Sequence, residues 1–145
     1  MILADVNVWL ATVVEAHPDH NRAVHWWRDG VLRAGGAVAF CRLTQLGLLR
    51  LLSNEAVLGT ARRTPAEAWI DYEQLLSQRP VSFLSEPDGI EEWLRAYTPE
   101  RDSSASLWTD AYLAAFAREA GLRLATFDRG FRRFEGLDLT FIPQT

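Results

Sequence analysis

The sequence contains no lysine, and this absence excludes several kinds of chemistry. All 15 basic residues among the 145 are arginine. Schiff-base enzymes, lysine nucleophiles and phosphate-binding loops built on a lysine are therefore excluded. A genome rich in GC codons explains this composition more simply than selection for phosphate binding does.

Cysteine and long apolar runs are also scarce. Cys41 is the single cysteine of the chain, so no intrachain disulfide can form, and a reducing compartment is expected. The longest uncharged run, Val6 to Val14, is too short to span a bilayer, and no basic stretch precedes an apolar one at the N-terminus. We therefore expect a cytoplasmic protein with no membrane partner.

Positive charge is not in excess either. The formal net charge is −4 and 48% of the residues are hydrophobic, which is typical of one globular domain, here residues 1–145. Such a balance argues against a protein that bulk charge holds to DNA or to a membrane surface. It leaves open nucleic-acid binding through a local basic patch beside a bound cation.

Short apolar runs alternate with segments of helical periodicity along the whole chain. The pattern predicts strands at 2–6, 37–40, 81–84, 122–127 and 137–142, and helices at 7–16, 19–32, 43–54, 65–78, 87–97 and 109–121. Strands that alternate with helices pair in parallel through right-handed crossovers. We therefore expect an α/β sandwich with a mostly parallel central sheet and helices on both faces.

Three aspartates stand where a ligand site is expected in such a sheet. Asp5 and Asp128 lie near the carboxyl ends of two predicted strands, and Asp110 opens a late helix. Ligands of open parallel sheets bind beyond those strand ends. Taken singly, Asp110 could complement the helix dipole and Asp128 could cap a turn. Together they suggest a common site.

Such a group of acids needs a counter-charge. Two carboxylates about 4 Å apart repel by roughly 4 kcal/mol at an effective dielectric constant near 20. Oxygen ligands favour a hard divalent cation such as Mg²⁺ or Mn²⁺. A cation in this setting activates water for hydrolysis of a phosphodiester.

Four segments of the chain resemble one family in order and in spacing. They are Asp5-Val6-Asn7-Val8-Trp9-Leu10, the helix of residues 42–52, Thr109-Asp110-Ala111-Tyr112-Leu113-Ala114 and Thr126-Phe127-Asp128-Arg129-Gly130-Phe131. The chain is similar to the PIN-domain ribonucleases, and more closely to the VapC toxins of bacterial toxin–antitoxin pairs.

The resemblance implies a PIN-like three-layer sandwich and an endoribonuclease that depends on Mg²⁺ or Mn²⁺. It also implies an RNA substrate, a homodimer and inhibition by a VapB-type antitoxin. By position, Asp5, Asp110 and Asp128 match the catalytic, metal-binding acids of the family. Asn7 and Thr126 match polar positions beside them.

Gln45 departs from the family pattern, since many PIN domains have a glutamate at the position that the resemblance assigns to it. An amide offers an oxygen but no charge, so weaker metal binding or a single ion is expected. A PIN module that binds RNA or antitoxin without cutting remains an alternative. A phosphotransfer or phosphatase domain is a further one, although Asp5-Val6-Asn7 lacks the second aspartate of such phosphatases.

Three arginines flank Asp128. Arg129, Arg132 and Arg133 are expected to hold RNA phosphates around the metal, and a solvated basic face is the alternative interpretation.

Histidines and tryptophans give weaker signals. His17 and His20 lie close together, but no cysteine supports a zinc site, so we expect them to face solvent. Trp26, Trp27 and Trp69 could stack on bases, but at helical spacing such residues more often fill a core or a subunit contact. We expect a protein interface, in keeping with a dimer.

Overall fold

The structure, a computed structural model, describes residues 1–99, 101–102 and 104–144. It contains one five-stranded sheet of order β3-β2-β1-β4-β5, in which every neighbouring pair is parallel. The α/β prediction is confirmed, and the sheet is parallel throughout where a mostly parallel one was expected. The strands are β1 Ile2–Ala4, β2 Val38–Phe40, β3 Val81–Phe83, β4 Arg123–Thr126 and β5 Leu139–Phe141.

Helices connect the strands. They are α1 Val6–Val13, α2 His20–Trp26, α3 Arg42–Leu52, α4 Glu55–Leu58, α5 Pro65–Leu76, α6 Ile90–Ala96 and α7 Leu107–Ala120, with a π-helical turn at Trp27–Leu32 and 3₁₀ turns at Gly59–Ala61 and Arg129–Arg133. Most ends lie within about three residues of the predicted ones, but α4 was not predicted. Within the described ranges, every helix is too short or too polar to cross a bilayer.

Strand β1 ends earlier than predicted because Asp5 starts a helix. Its backbone is extended (φ −63°, ψ 155°), and its carboxylate accepts a hydrogen bond from the Val6 amide at 2.7 Å. Its carbonyl oxygen accepts from the amides of Val8 and Trp9. Asp5 therefore lies at the junction between the central strand and α1.

Two buried clusters cover the two faces of the sheet. On one face, Trp9 stacks on Phe40 with ring centroids 3.9 Å apart, and Phe40 meets the edge of Tyr72 at 4.9 Å. On the other face, Phe116 and Phe131 pack among residues of α6 and α7. Helices on both faces give the expected three layers.

The prediction that the paired tryptophans lie in an interface is wrong. Trp26 and Trp27 are only 6% and 8% exposed, because α2 packs on α1 and both rings belong to the buried cluster on this face of the sheet. Trp27 lies 5.9 Å from Trp9. Trp69 on α5 is 45% exposed and is the one of the three that faces outward.

The two histidines of the turn before α2 are half-buried, whereas we expected them to face solvent. His20 Nδ1 lies 2.7 Å from the Ala11 carbonyl oxygen, and His17 Nδ1 accepts a hydrogen bond from the Asp19 amide at 3.0 Å. Both rings thus stabilise the turn that joins α1 to α2.

Helices α1 and α3 approach closely at Gly47. A Cβ atom at this position would lie 2.7 Å from Val6 Cγ2 and 3.1 Å from Val6 Cγ1. The stiff β-branched side chain of Val6 cannot withdraw easily. Glycine at 47 therefore lets α3 lie against the first turn of α1.

We predict that Gly47→Ala destabilises the protein by about 1–2 kcal/mol, because overpacking a tight contact outweighs the roughly 1 kcal/mol by which alanine normally favours a helix. Urea unfolding measures the change. In a Val6→Ala background the same substitution should be neutral or stabilising. An equal loss in both backgrounds would contradict the contact as the cause.

Candidate active site

An open pocket of about 330 Å³ lies beyond the carboxyl ends of β1 and β4. The three predicted acids, Asp5, Asp110 and Asp128, all line it, together with Asn7. Asp5 follows β1, Asp128 follows β4, and Asp110 comes from the first turn of α7. The structure therefore brings the three acids to one place, as the strand-end rule predicts.

Asp5 is the most buried of these acids. Its side chain is 8% exposed, and its Oδ2 accepts a hydrogen bond from Thr126 Oγ1 at 2.8 Å. Burial raises the pKa of Asp5 to about 6, and repulsion from Asp110 and Asp128 adds to the rise, while the bonds from Thr126 and Val6 oppose it. Ionisation of this carboxyl is thus less favourable in the folded protein than in water.

Thr126 joins two of the acids through one hydroxyl. Its Oγ1 donates to Asp5 and accepts a hydrogen bond from the Asp128 amide at 3.0 Å. Thr126 is fully buried at the end of β4. Its position beside the acids, which the family resemblance implies, therefore has a direct geometric basis.

Asp110 lies between opposite and like charges. Burial raises its pKa and Asp128 adds to the rise, whereas a hydrogen bond with Ser106 and the charge of Arg133 lower it. Arg133 Nη2 donates to Asp110 Oδ2 at 3.1 Å. The carboxylate that opens α7 is thus held by an arginine from the 3₁₀ turn after β4.

Asp128 has two roles in the structure. Its Oδ1 accepts a hydrogen bond from the Gly130 amide at 2.8 Å, so it caps the 3₁₀ turn as the structural alternative proposed. It also lines the pocket and raises the pKa of Asp5. Capping and membership of the site are therefore compatible.

The chemistry of this donor set fits a hard divalent cation, because three carboxylates that repel one another face one pocket. As they stand, no three His, Cys, Asp or Glu side chains of the described ranges are close enough to enclose an ion together. Asp110 is engaged by Arg133.

Gln45 does not lie with the acids, contrary to our expectation. It is 5% exposed, and its Oε1 accepts a hydrogen bond from Arg42. The residues of α3 that line the pocket are Leu43, Gly47, Arg50 and Leu51. At 100° per residue, position 45 points to the opposite side of the helix from this set.

The pocket is also lined by residues that sequence reasoning missed. Arg50 brings a positive charge to it, and Ser106 and Thr109 line the side near Asp110. Helical spacing from Leu43 would have found Arg50, because residues seven apart share a face.

The three arginines near Asp128 separate into two groups. Arg133 points toward the acids. Arg129 and Arg132 both lie over the Phe141 ring, at 5.1 and 4.9 Å from its centroid. Of the three, Arg133 is therefore the one that contacts an acid of the pocket.

Comparisons with known proteins agree with this arrangement. The PIN domain family matches residues 2–137 of the chain. Ribonuclease VapC41 of Mycobacterium tuberculosis is 41% identical over 99% of this chain and 100% of its own length. The chain therefore belongs to the PIN domain family. Within that family it belongs with the VapC ribonucleases, which confirms the resemblance seen in the sequence.

Solved structures show the same fold. The VapBC2 complex of Rickettsia felis, bound to a DNA fragment from its promoter, has a chain that aligns with a TM-score of 0.71 at 14% identity, covering 97% of this chain and 98% of that one. VapC20 of M. tuberculosis, a toxin that cleaves the sarcin–ricin loop, aligns with a TM-score of 0.68 at 18% identity over 91% and 93%. These structures support the three-layer assignment.

We predict that Asp5→Asn stabilises the metal-free protein at pH 7.5 by about 1–3 kcal/mol. A carboxyl whose pKa is near 6 rather than 3.8 favours the folded state when protonated, so its contribution is lost as pH rises from about 4 to 6. Urea unfolding in EDTA at pH 4 and 7.5 measures this, and the gain should vanish at pH 4.

Asp138→Asn is the matched control, because Asp138 is an exposed acid at the opposite edge of the sheet. It should change stability little at either pH. A variant at Asp5 that is less stable than the parent at pH 7.5 would show that the buried charge is not unfavourable.

Proposed function

We propose that this protein is an endoribonuclease toxin that hydrolyses RNA phosphodiester bonds with Mg²⁺ or Mn²⁺ held by Asp5, Asp110 and Asp128. The observation that carries the proposal is the convergence of these carboxylates in one pocket of a VapC-like chain. When bound, a divalent cation lowers the pKa of water and neutralises charge that develops on the scissile phosphate.

The chain's own residues prepare that pocket. Thr126 and the Val6 amide each donate to one oxygen of Asp5, which fixes the orientation of its carboxylate. The exposed side chain of Asn7 lies at the rim, where its amide can donate to a phosphate or ribose oxygen. Arg50 on the facing wall supplies positive charge toward the RNA backbone.

A VapB-type antitoxin is the proposed protein partner. An apolar groove of about 510 Å³ adjoins the acid pocket and shares Asn7 and Leu51 with it. Leu10, Val14 and Leu58 contribute to its apolar wall. A partner segment with apolar side chains in this groove would end beside the acids, and the VapBC2 complex shows that a protein of this fold assembles with an antitoxin.

A homodimer is the proposed assembly. Trp69 and Ile70 on α5 are 45% and 53% exposed, and such apolar side chains favour a subunit contact. Sedimentation of the purified chain would distinguish a dimer from a monomer.

We predict that Asp5→Asn and Asp110→Asn each reduce RNA cleavage by more than about 100-fold. Even residues that only support metal ligands typically contribute 10–100-fold to metal affinity or activity. The assay uses purified, antitoxin-free protein, Mn²⁺ and several RNA pools, with cleavage followed by gel electrophoresis. EDTA should abolish the parent's activity.

Asp138→Asn serves as the control and should retain the parent's rate, because it removes a carboxylate remote from the pocket. An Asp5→Asn variant that cuts as fast as the parent would overturn the assignment. If the parent binds RNA but never cuts it with Mn²⁺ in any pool, the chain is a binding module instead.

A further inference from the structure

Arg133 lies on the wall between two pockets. On one side it pairs with Asp110 of the acid pocket at 3.1 Å. On the other it lines a neighbouring cleft of about 540 Å³, which we call the arginine cleft and define by Trp93, Ala96, Tyr97, Arg118, Arg133, Glu135 and Gly136. One guanidinium therefore lines the arginine cleft and contacts an acid of the other pocket.

The contacts that hold Arg133 permit it to exchange partners. Its side chain is 33% exposed, its Nη1 reaches Ser104 Oγ only at 3.4 Å, and its guanidinium lies 4.8 Å from the Phe134 ring centroid. Phe134 is buried and gives the side chain a fixed support. The charged end is thus positioned by an aromatic surface, and Asp110 is its one close polar partner within the described residues.

The Asp110 carboxylate already carries one positive partner, since Arg133 donates to its Oδ2. A divalent cation on the same carboxylate would place a second positive charge close to the guanidinium, and like charges repel. The charges of the arginine and of a divalent cation therefore oppose each other at Asp110.

The arginine cleft offers a second anion-binding guanidinium. Arg118 lies 4.4 Å from the centroid of the Trp93 ring and donates to the Glu135 carbonyl oxygen at 3.3 Å. Arginine forks match phosphate geometry. The Glu135 side chain also lines the cleft and limits its positive charge. A phosphate there would lie in the cleft that Arg133 also lines.

We propose that Arg133 has two successive partners: Asp110 before a divalent cation enters the acid pocket, and an RNA phosphate in the arginine cleft afterwards. This inference rests on the proposed function, since it assumes a cation on Asp110 and RNA across the pocket. It makes Arg133 a positioning residue that couples cation binding to RNA binding.

Arg133→Gln should therefore have opposite effects on the two ligands. Mn²⁺ binding, measured by calorimetry or by the EPR signal of free Mn²⁺, should tighten by about two- to fivefold, the range expected when a partly exposed ion pair is removed. RNA binding should weaken. We would measure it in Ca²⁺ with a fluorescent oligouridine of about 12 nucleotides, and the slope of log affinity against log salt should fall by about 0.7.

Arg132→Gln is the matched control for Mn²⁺ affinity. It removes the same charge one residue away, but its guanidinium lies over Phe141 and does not pair with Asp110. A tightening confined to the Arg133 variant measures the pairing itself, since a general loss of positive charge would affect both. Arg133→Lys keeps the charge without the planar guanidinium. Its Mn²⁺ affinity should lie between that of the parent and that of Arg133→Gln. Thermal melting confirms that each variant is folded.

The outcomes separate this inference from the proposed function. If the parent binds Mn²⁺ and the Arg133 and Arg132 variants bind it equally, the exchange of partners is overturned while the nuclease proposal stands. An unchanged salt slope for RNA in Arg133→Gln also overturns the exchange. If the parent itself does not bind Mn²⁺ and Asp5→Asn still cuts RNA, the proposed function is wrong, and so is the inference that rests on it.

Discussion

The burial of the Asp5 carboxylate at the end of the central strand is the constraint around which the site is built. Strand β1 is flanked by β2 and β4, so neighbouring strands cover both of its edges. Two donated hydrogen bonds, from Thr126 and Val6, only partly offset the loss of water. A cation in the pocket would neutralise the buried negative charge that these bonds do not compensate.

Much of this arrangement could be predicted from the sequence, because it follows from topology. An acid at the end of a buried strand has few structural explanations, and parallel strands bring their carboxyl ends together, so Asp5 and Asp128 were found with their pocket. Gln45 was misplaced for a different reason. Its role came from alignment with a family pattern, whereas the phase of α3 directs Gly47, and not position 45, toward the acids.

Other features could not be predicted because they depend on packing rather than on pattern. Helix α4 is only four residues long and begins at a cap in which Asn54 accepts from the Ala56 amide, so it carries no periodic signal. The π-helical turn that follows α2 departs from the ordinary helical phase, and no pattern in the sequence marks it. Local charge pairs, such as Arg133 with Asp110, join residues distant in sequence, so only the folded structure reveals them.

The single hydroxyl of Thr126 ties the two strand-end acids to the pairing of β1 with β4, in which Leu3 lies opposite Leu124 and Ala4 opposite Ala125. Slippage by one residue would move one acid by about 3.3 Å and reverse the side-chain directions of the slipped strand. The backbone pairing of β1 with β4 consequently sets the spacing of these acids. Changes in the peripheral connections would thus leave the spacing of these acids unaltered.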